Sequence, residues 1–195
     1  MSKENWIFLD METMGQCDDA LVLSIGLIYM KESYKTLDFT SRMKYGLHIK
    51  LNRQEQLPER IVDKNTILWW KSQGDSAKEV LSNDNCYHVY DAYKIICLYL
   101  QKNNYDPKTD IIWSRGMIDQ RWWGSLINKT FCKFGPVEDI MPFWRWRDTR
   151  TACDILTGDP NGLPIDEPKD FIKHNALCDS VMDSIRMTKA LEIYE

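Results

Sequence analysis

The sequence predicts an α/β fold in which a mixed five-stranded sheet, an antiparallel meander followed by parallel strands, is flanked by helices. Three observations lead there. The chain opens with three apolar runs of strand length and no helical segment between them, the pattern of a meander. From Asn65 onward the apolar period becomes that of helices, and short buried strands then alternate with helices, which calls for parallel strands joined by right-handed crossovers. No Pro/Ser-rich linker or low-complexity tract divides the 195 residues, so one domain over residues 1–195 is expected.

The first run, Trp6-Ile7-Phe8-Leu9-Asp10-Met11-Glu12-Thr13, is strand material that ends in two acids. Side chains alternate across a strand, so Trp6, Phe8, Asp10 and Glu12 share one face while Ile7, Leu9 and Met11 share the other. Ala20 to Met30 reads as a second, largely buried strand, interrupted by Ser24 and Gly26 and far short of a membrane span. Lys44 to Leu51 is the third strand, with partial alternation. Asn65 to Gly74 has an N-cap candidate at its start and a glycine stop, and so reads as a short helix. Between Tyr87 and Lys102, apolar positions 89, 92, 93, 96 and 100 follow helical spacing and predict a core-facing helix.

Asp110 to Ser114 is a short fourth strand, followed by the turn Arg115-Gly116-Met117 and a helix to about Phe131. Phe143 to Arg147 is expected as the fifth strand, with Asp148 or Thr149 capping a helix to Leu156. Thr157 to Pro168 holds two glycines and three prolines and must be loop. His174 to Tyr194 reads as one long helix with Cys178, Val181, Met182 and Ile185 on its inner face. The easiest place for the fourth strand is beside the first, which brings Asp119 to the crevice of Asp10 and Glu12.

A net charge of −4 argues against a generally basic nucleic-acid coat. The distribution is more telling: between Trp113 and Arg150 there are seven Lys/Arg against four Asp/Glu, together with five of the eight tryptophans. Cations interleaved with flat rings suit single-stranded nucleic acid, although for any one tryptophan core packing is the better explanation. The six cysteines are scattered without a Cys-x-x-Cys pair and are expected as buried, reduced thiols. Met1-Ser2-Lys3-Glu4 has no apolar run, so no secretory signal or membrane partner is expected and the cytoplasm is the default location.

At the strand end, Asp10 and Glu12 read either as half of a metal site or as a strand running into a polar turn; hard divalent cations prefer carboxylate oxygens. The other half is sought in His174-Asn175-Ala176-Leu177-Cys178-Asp179. Five residues on a helix rotate side chains by about 140°, so His174 and Asp179 converge only if His174 precedes the helix and Asp179 lies in its first turns. A solvated histidine and an acidic solvent face at Asp179 and Asp183 are the plain alternatives. The ordered combination of Asp-x-Glu, an aspartate after the fourth strand and His-x4-Asp on the last helix favours a site.

With Asp10-Met-Glu-Thr-Met-Gly15, Thr66-Ile-Leu-Trp-Trp-Lys-Ser-Gln73, Trp113-Ser-Arg-Gly-Met117, Asp119, Phe143-Trp144, Arg147-Asp-Thr-Arg150 and the His174 to Asp179 motif in order, the chain resembles the DEDDh group of 3′–5′ exonucleases, which have a ribonuclease-H-like fold. Within that group it is most like the exodeoxyribonuclease A proteins of tailed phages. The resemblance implies that Asp10, Glu12, Asp119 and Asp179 bind two Mg²⁺ ions, with Mn²⁺ able to substitute, and that His174 is the general base. It also implies that Met11, Thr13 and Met14 meet the terminal sugar. One of the helical neighbours Trp69 and Trp70, with Trp69 preferred, would floor the nucleotide pocket, and Arg115 would contact phosphate. One departure stands out: Met117-Ile118-Asp119 is one residue shorter than the family's usual spacing.

The implied function is removal of nucleoside 5′-monophosphates from the 3′ ends of single-stranded DNA. Trimming of RNA 3′ ends and a catalytically silent single-strand-binding module are the alternatives. For a phage-encoded chain the expected location is the host cytoplasm; the sequence leaves the oligomeric state open.

Overall fold

The computed structural model describes residues 5–131 and 139–193. The expectations on residues 1–4, on Cys132 and on the end of the last helix at Tyr194 therefore lie outside the described residues. Strands β1 (Trp6–Thr13), β2 (Val22–Met30), β3 (Gly46–Leu51), β4 (Cys86–Tyr87), β5 (Ile111–Ser114) and β6 (Trp146–Asp148) make a sheet in the order β4-β3-β2-β1-β5-β6. The β1-β2 and β2-β3 pairs are antiparallel, whereas β1-β5, β5-β6 and β3-β4 are parallel. Helices α1 (Phe39–Met43), α2 (Lys64–Ser72), α3 (Asp75–Lys78), α4 (Val89–Lys102), α5 (Ile118–Phe131), α6 (Thr149–Thr157) and α7 (Ala176–Leu191) complete the described fold. No helix among the described residues is long and apolar enough to cross a membrane.

The meander followed by parallel strands is as the sequence predicts, with corrections, the first being that a 3-10 turn at Glu32–Tyr34 and the short helix α1 lie between β2 and β3, where no helical segment is expected. A sixth strand, β4, extends the sheet at the β3 edge; two residues carry no readable period, and the helix expected from Tyr87 starts only at Val89. Phe143–Arg145 is a 3-10 turn, and the edge strand follows it at Trp146–Asp148. The Asp63 carboxylate, one residue before α2, accepts the Thr66 N–H at 2.9 Å and sets the start of that helix. Asp148 caps α6, and Asn175 caps α7 by accepting the Cys178 N–H at 3.1 Å. The cysteines are less uniform than expected: Cys153 and Cys178 are buried, but Cys17 is exposed.

Alternation along β1 becomes two separate cores. Ile7, Leu9 and Met11 pack with α4 and α5 side chains such as Ile96, Leu100, Trp123 and Leu126. On the opposite face Phe8 packs with Ile28 and with Leu177, Cys178, Val181 and Met187 of α7. Each such aliphatic side chain contributes roughly 1.5–3 kcal/mol on burial, so a one-residue slip of β1 would be prohibitive. Because Asp10 and Glu12 follow Phe8 at intervals of two, register alone turns both acids toward α7.

The distance between the sheet and α7 is set by Gly26 of β2, which pairs with Asp10 across the β1-β2 ladder. A Cβ there would lie 2.1 Å from both the Ala176 carbonyl carbon and the Leu177 nitrogen, so the helix start rests on bare strand backbone. Ser180 Oγ donates to the Gly26 carbonyl at 2.8 Å and fixes the contact from the helix side. Gly26→Ala is expected to push α7 outward, costing about 2–3 kcal/mol and lowering the melting temperature by roughly 5–10 °C. Ser180→Ala should cost no more than about 1 kcal/mol. Thermal unfolding of both variants checks the ranking; an unchanged melting temperature in Gly26→Ala would mean the helix does not rest on this backbone.

Candidate active site

Three elements bring acids together at the carboxyl end of β1. From β1 come Asp10 and Glu12. Asp119 arrives in the first turn of α5, fully buried, and its Oδ1 accepts the Met11 N–H at 3.0 Å. The reason lies in the sheet: the β1-β5 pairing ends at Phe8↔Trp113, and Asp119 takes an N–H that the departing strand leaves unpaired. The short Met117-Ile118-Asp119 spacing therefore still delivers the carboxylate beside Asp10.

The third contribution comes from α7. His174 lies just before the helix with a left-handed φ of 63°, a conformation tolerated more readily by histidine than by bulky or branched residues. Its backbone N–H donates to Asp179 Oδ2 at 2.8 Å, so the acid in the helix holds the histidine's turn in place. One ligand atom each from Glu12, His174 and Asp179 lie within 4.8 Å of one another. Trp69 meets the imidazole edge-on at a centroid distance of 4.7 Å and fixes the ring's orientation.

Electrostatics set these groups apart from ordinary surface acids. Burial, then the charges of Asp119, Glu12, Asp179 and Asp183, holds the Asp10 carboxyl well above the usual range. Glu12 is raised by burial and by Asp179 and Asp119, and Asp119 by burial against the opposing pull of its bond from Met11. Asp179 is pushed up to about 7, chiefly by burial and then by Asp183. His174 goes the other way: burial and the Lys173 ammonium lower it, which favours a neutral imidazole near pH 7. A buried set of mutually repelling carboxylates beside a neutral imidazole has the donor chemistry that a hard divalent cation requires.

Asp183 is the acid that the sequence left on a solvent face. It is only 5% exposed and pairs with Arg115 Nη1 at 3.2 Å and Arg186 Nη1 at 2.6 Å. Its spacing of four from Asp179 was the available signal, since i and i+4 share a helix face. Arg115, expected at phosphate, thus has one nitrogen on Asp183, while its Nη2 donates to Asn161 Oδ1 at 2.7 Å.

Two adjoining clefts open over this site and share Met11, Glu12 and Trp122. One, of about 480 Å³, holds Asp10, Asp119, His174, Asp179 and Asp183 with Arg115, Arg150 and Lys173. The other, of about 880 Å³, runs past Thr13, Asp63, Thr66 and Trp69. The two adjacent tryptophans divide: Trp70 is 1% exposed and donates Nε1–H to the Thr13 carbonyl at 3.0 Å, whereas Trp69 is 41% exposed and lines the larger cleft. Met14 goes inward, packing with Leu21, Leu23 and Trp70, and both its backbone polar groups are bonded within the fold.

Residues 5–189 match the family described as the 3′-5′ exoribonuclease Rv2179c-like domain. The chain belongs to this family. The Rv2179c-like chain is 29% identical over 205 residues to an exodeoxyribonuclease of Enterobacteria phage T4, an alignment covering 94% of this chain and 87% of that protein. Among solved structures it is similar to the cell-death related nuclease 4 (CRN-4), with a TM-score of 0.54 and 11% identity. That match covers 97% of this chain but spans only 64% of the nuclease, and at this identity it speaks to fold alone. The chain is a 3′–5′ exonuclease of the ribonuclease-H-like type with nucleic-acid substrates, and the reading as a catalytically silent binding module is set aside.

Proposed function

We propose that the chain removes nucleoside 5′-monophosphates stepwise from the 3′ ends of single-stranded DNA, with Asp10, Glu12, Asp119 and Asp179 as divalent-metal ligands and His174 as general base. The observation that carries this reading is the convergence of Glu12, His174 and Asp179 donor atoms within 4.8 Å, backed by carboxyls held above their usual range. When bound, two divalent ions, Mg²⁺ or Mn²⁺, supply charge neutralisation at the phosphoryl oxygens, acidify the attacking water and assist departure of the 3′-oxygen.

The chain's residues do the rest. Asp119 spends one oxygen on the Met11 N–H and keeps the other for the site. Asp179 similarly spends Oδ2 on the His174 N–H, which couples ligand and base in one rigid unit. His174, neutral near pH 7, accepts the water proton at an imidazole nitrogen as the oxygen attacks phosphorus, and releases it to solvent afterwards. The bond to the penultimate nucleotide's 3′-oxygen breaks, and that oxygen takes up a proton to become the new 3′-hydroxyl. Met11 and Thr13 line the cleft beside the terminal sugar, and Trp69 offers a ring face to the terminal base. Arg115, tied to Asp183, shapes the cleft wall and presents its charge toward phosphate from a fixed position.

DNA is favoured by the phage exodeoxyribonuclease, which aligns over 94% of the chain. RNA is the second reading, favoured by the family's description as exoribonuclease. Digestion of end-labelled DNA and RNA oligomers of one sequence, in Mg²⁺ and in excess chelator, decides between them. The expected result is faster shortening of DNA, complete dependence on metal and release of 5′-monophosphates. Faster shortening of RNA would transfer the assignment to RNA ends, and shortening in chelator would end the metal-dependent mechanism.

A further inference from the structure

We propose that Phe143 and Trp144, with the guanidinium group of Arg147 beside them and Arg150 on the neighbouring cleft wall, form a stacking platform for the unpaired bases of the substrate strand upstream of the nucleotide being removed. The proposal deepens the exonuclease reading of the same site and rests on it. Phe143 is 72% exposed and Trp144 60%, and their rings meet edge to face at a centroid distance of 5.1 Å and an angle of 85°. Two adjacent large rings left in water mark a surface that meets something.

The turn that carries them is anchored. Trp146 beneath it is buried and donates Nε1–H to the Met141 carbonyl at 3.0 Å. Gln120 Nε2 donates to the Phe143 carbonyl at 3.0 Å, and Arg147 Nη1 to the Trp144 carbonyl at 2.9 Å. The Arg145 N–H closes the turn on the Pro142 carbonyl at 2.9 Å. The rings are thus held outward by a fixed backbone, which spares a ligand the entropy of ordering them.

Charge and position identify the occupant. Gln120 directly follows Asp119 in α5, and Arg150, in the first turn of α6, lines the cleft that holds Asp119 and Asp179. The platform is therefore tied through Gln120 to the helix turn that carries Asp119. Arg147 and Arg150 are exposed in a chain whose net charge is −4, so this local cationic edge selects a polyanion. Flat rings bordered by guanidinium groups accept successive bases of any sequence while phosphates run past the cations. Upstream bases stacked inside a duplex do not offer their faces, so a paired strand gains little here.

The test compares kcat/KM for a single-stranded dodecanucleotide with that for a dinucleotide of the same 3′ end, in wild type, Phe143→Leu, Trp144→Leu and Trp144→Phe. In each leucine variant the ratio is expected to fall about tenfold, through a higher KM for the longer strand with kcat within about twofold. Trp144→Phe, which keeps a ring, is expected to stay near wild type. An unchanged ratio in both leucine variants overturns the platform, and so does Trp144→Leu behaving like Trp144→Phe, which would mean apolar docking without stacking. Circular dichroism and melting temperature confirm that each variant is folded. Asp10→Asn, assayed alongside, separates the two readings: its retained hydrolysis at every length would remove the catalytic assignment and leave the length dependence standing.

Discussion

Asp10→Asn is expected to lose both hydrolysis and divalent-metal binding, whereas His174→Ala is expected to keep the metal and lose about 10²–10⁴ in kcat. Asp10 feels the charges of Asp119, Glu12, Asp179 and Asp183, so replacing it by asparagine removes the acid that faces all the others. His174 contributes one of three convergent donors, but its ring is steered by Trp69 and its neutral state is favoured, both of which suit proton transfer. Calorimetric titration with Mn²⁺ separates the roles. Equal metal affinity in the two variants would remove the division of labour, and a large loss of affinity in His174→Ala would make the imidazole a ligand. In chelator, Asp10→Asn should melt at a higher temperature than wild type, because it relieves repulsion among buried acids.

The second large effect is a reversal of pH dependence by metal. A carboxyl whose folded pKa lies above its unfolded value stabilises folding only while protonated. Its contribution is complete below about pH 4 and lost as pH rises through the folded value. For Asp179, raised from 3.8 to about 7, the loss across that window is on the order of 4 kcal/mol. Asp10, Glu12 and Asp119 shift in the same direction. The metal-free protein should therefore melt roughly 10 °C lower at pH 8 than at pH 5. Saturating Mg²⁺ binds only the deprotonated set, so its stabilisation should grow over the same interval, reaching about 2.7 kcal/mol per site at a hundredfold excess over Kd. A melting temperature that rises from pH 5 to pH 8 in chelator, or ignores Mg²⁺ at pH 8, would contradict this electrostatic account.

What the sequence disclosed follows from where information is local. Period two in β1 placed Asp10 and Glu12 on one face, and the structure seats that face against α7. The His174–Asp179 step of five required a histidine outside the helix, and the chain meets it with one left-handed residue ahead of the Asn175 cap. Other features depend on partners distant in sequence. Cys86–Tyr87 is a strand only because β3 offers it an edge. The burial of Asp183 depends on Arg115, 68 positions away, and Met14 is drawn inward by Leu21, Leu23 and Trp70. Which of Trp69 and Trp70 lies inside is decided by the Thr13 carbonyl, which takes the Trp70 indole N–H. None of these leaves a periodic trace.

The meeting of Gly26 with the Ala176–Leu177 peptide has a consequence for how such a protein tolerates change. Main chain lies on main chain there, so the gap separating the two halves of the carboxylate set is a property of peptide dimensions. Exchanges in either apolar cluster act on that gap only through side chains, whereas a side chain at one position on β2 would act on it directly. The width of the site is thereby entrusted to backbone, and a methyl group added at position 26 is what would disturb it.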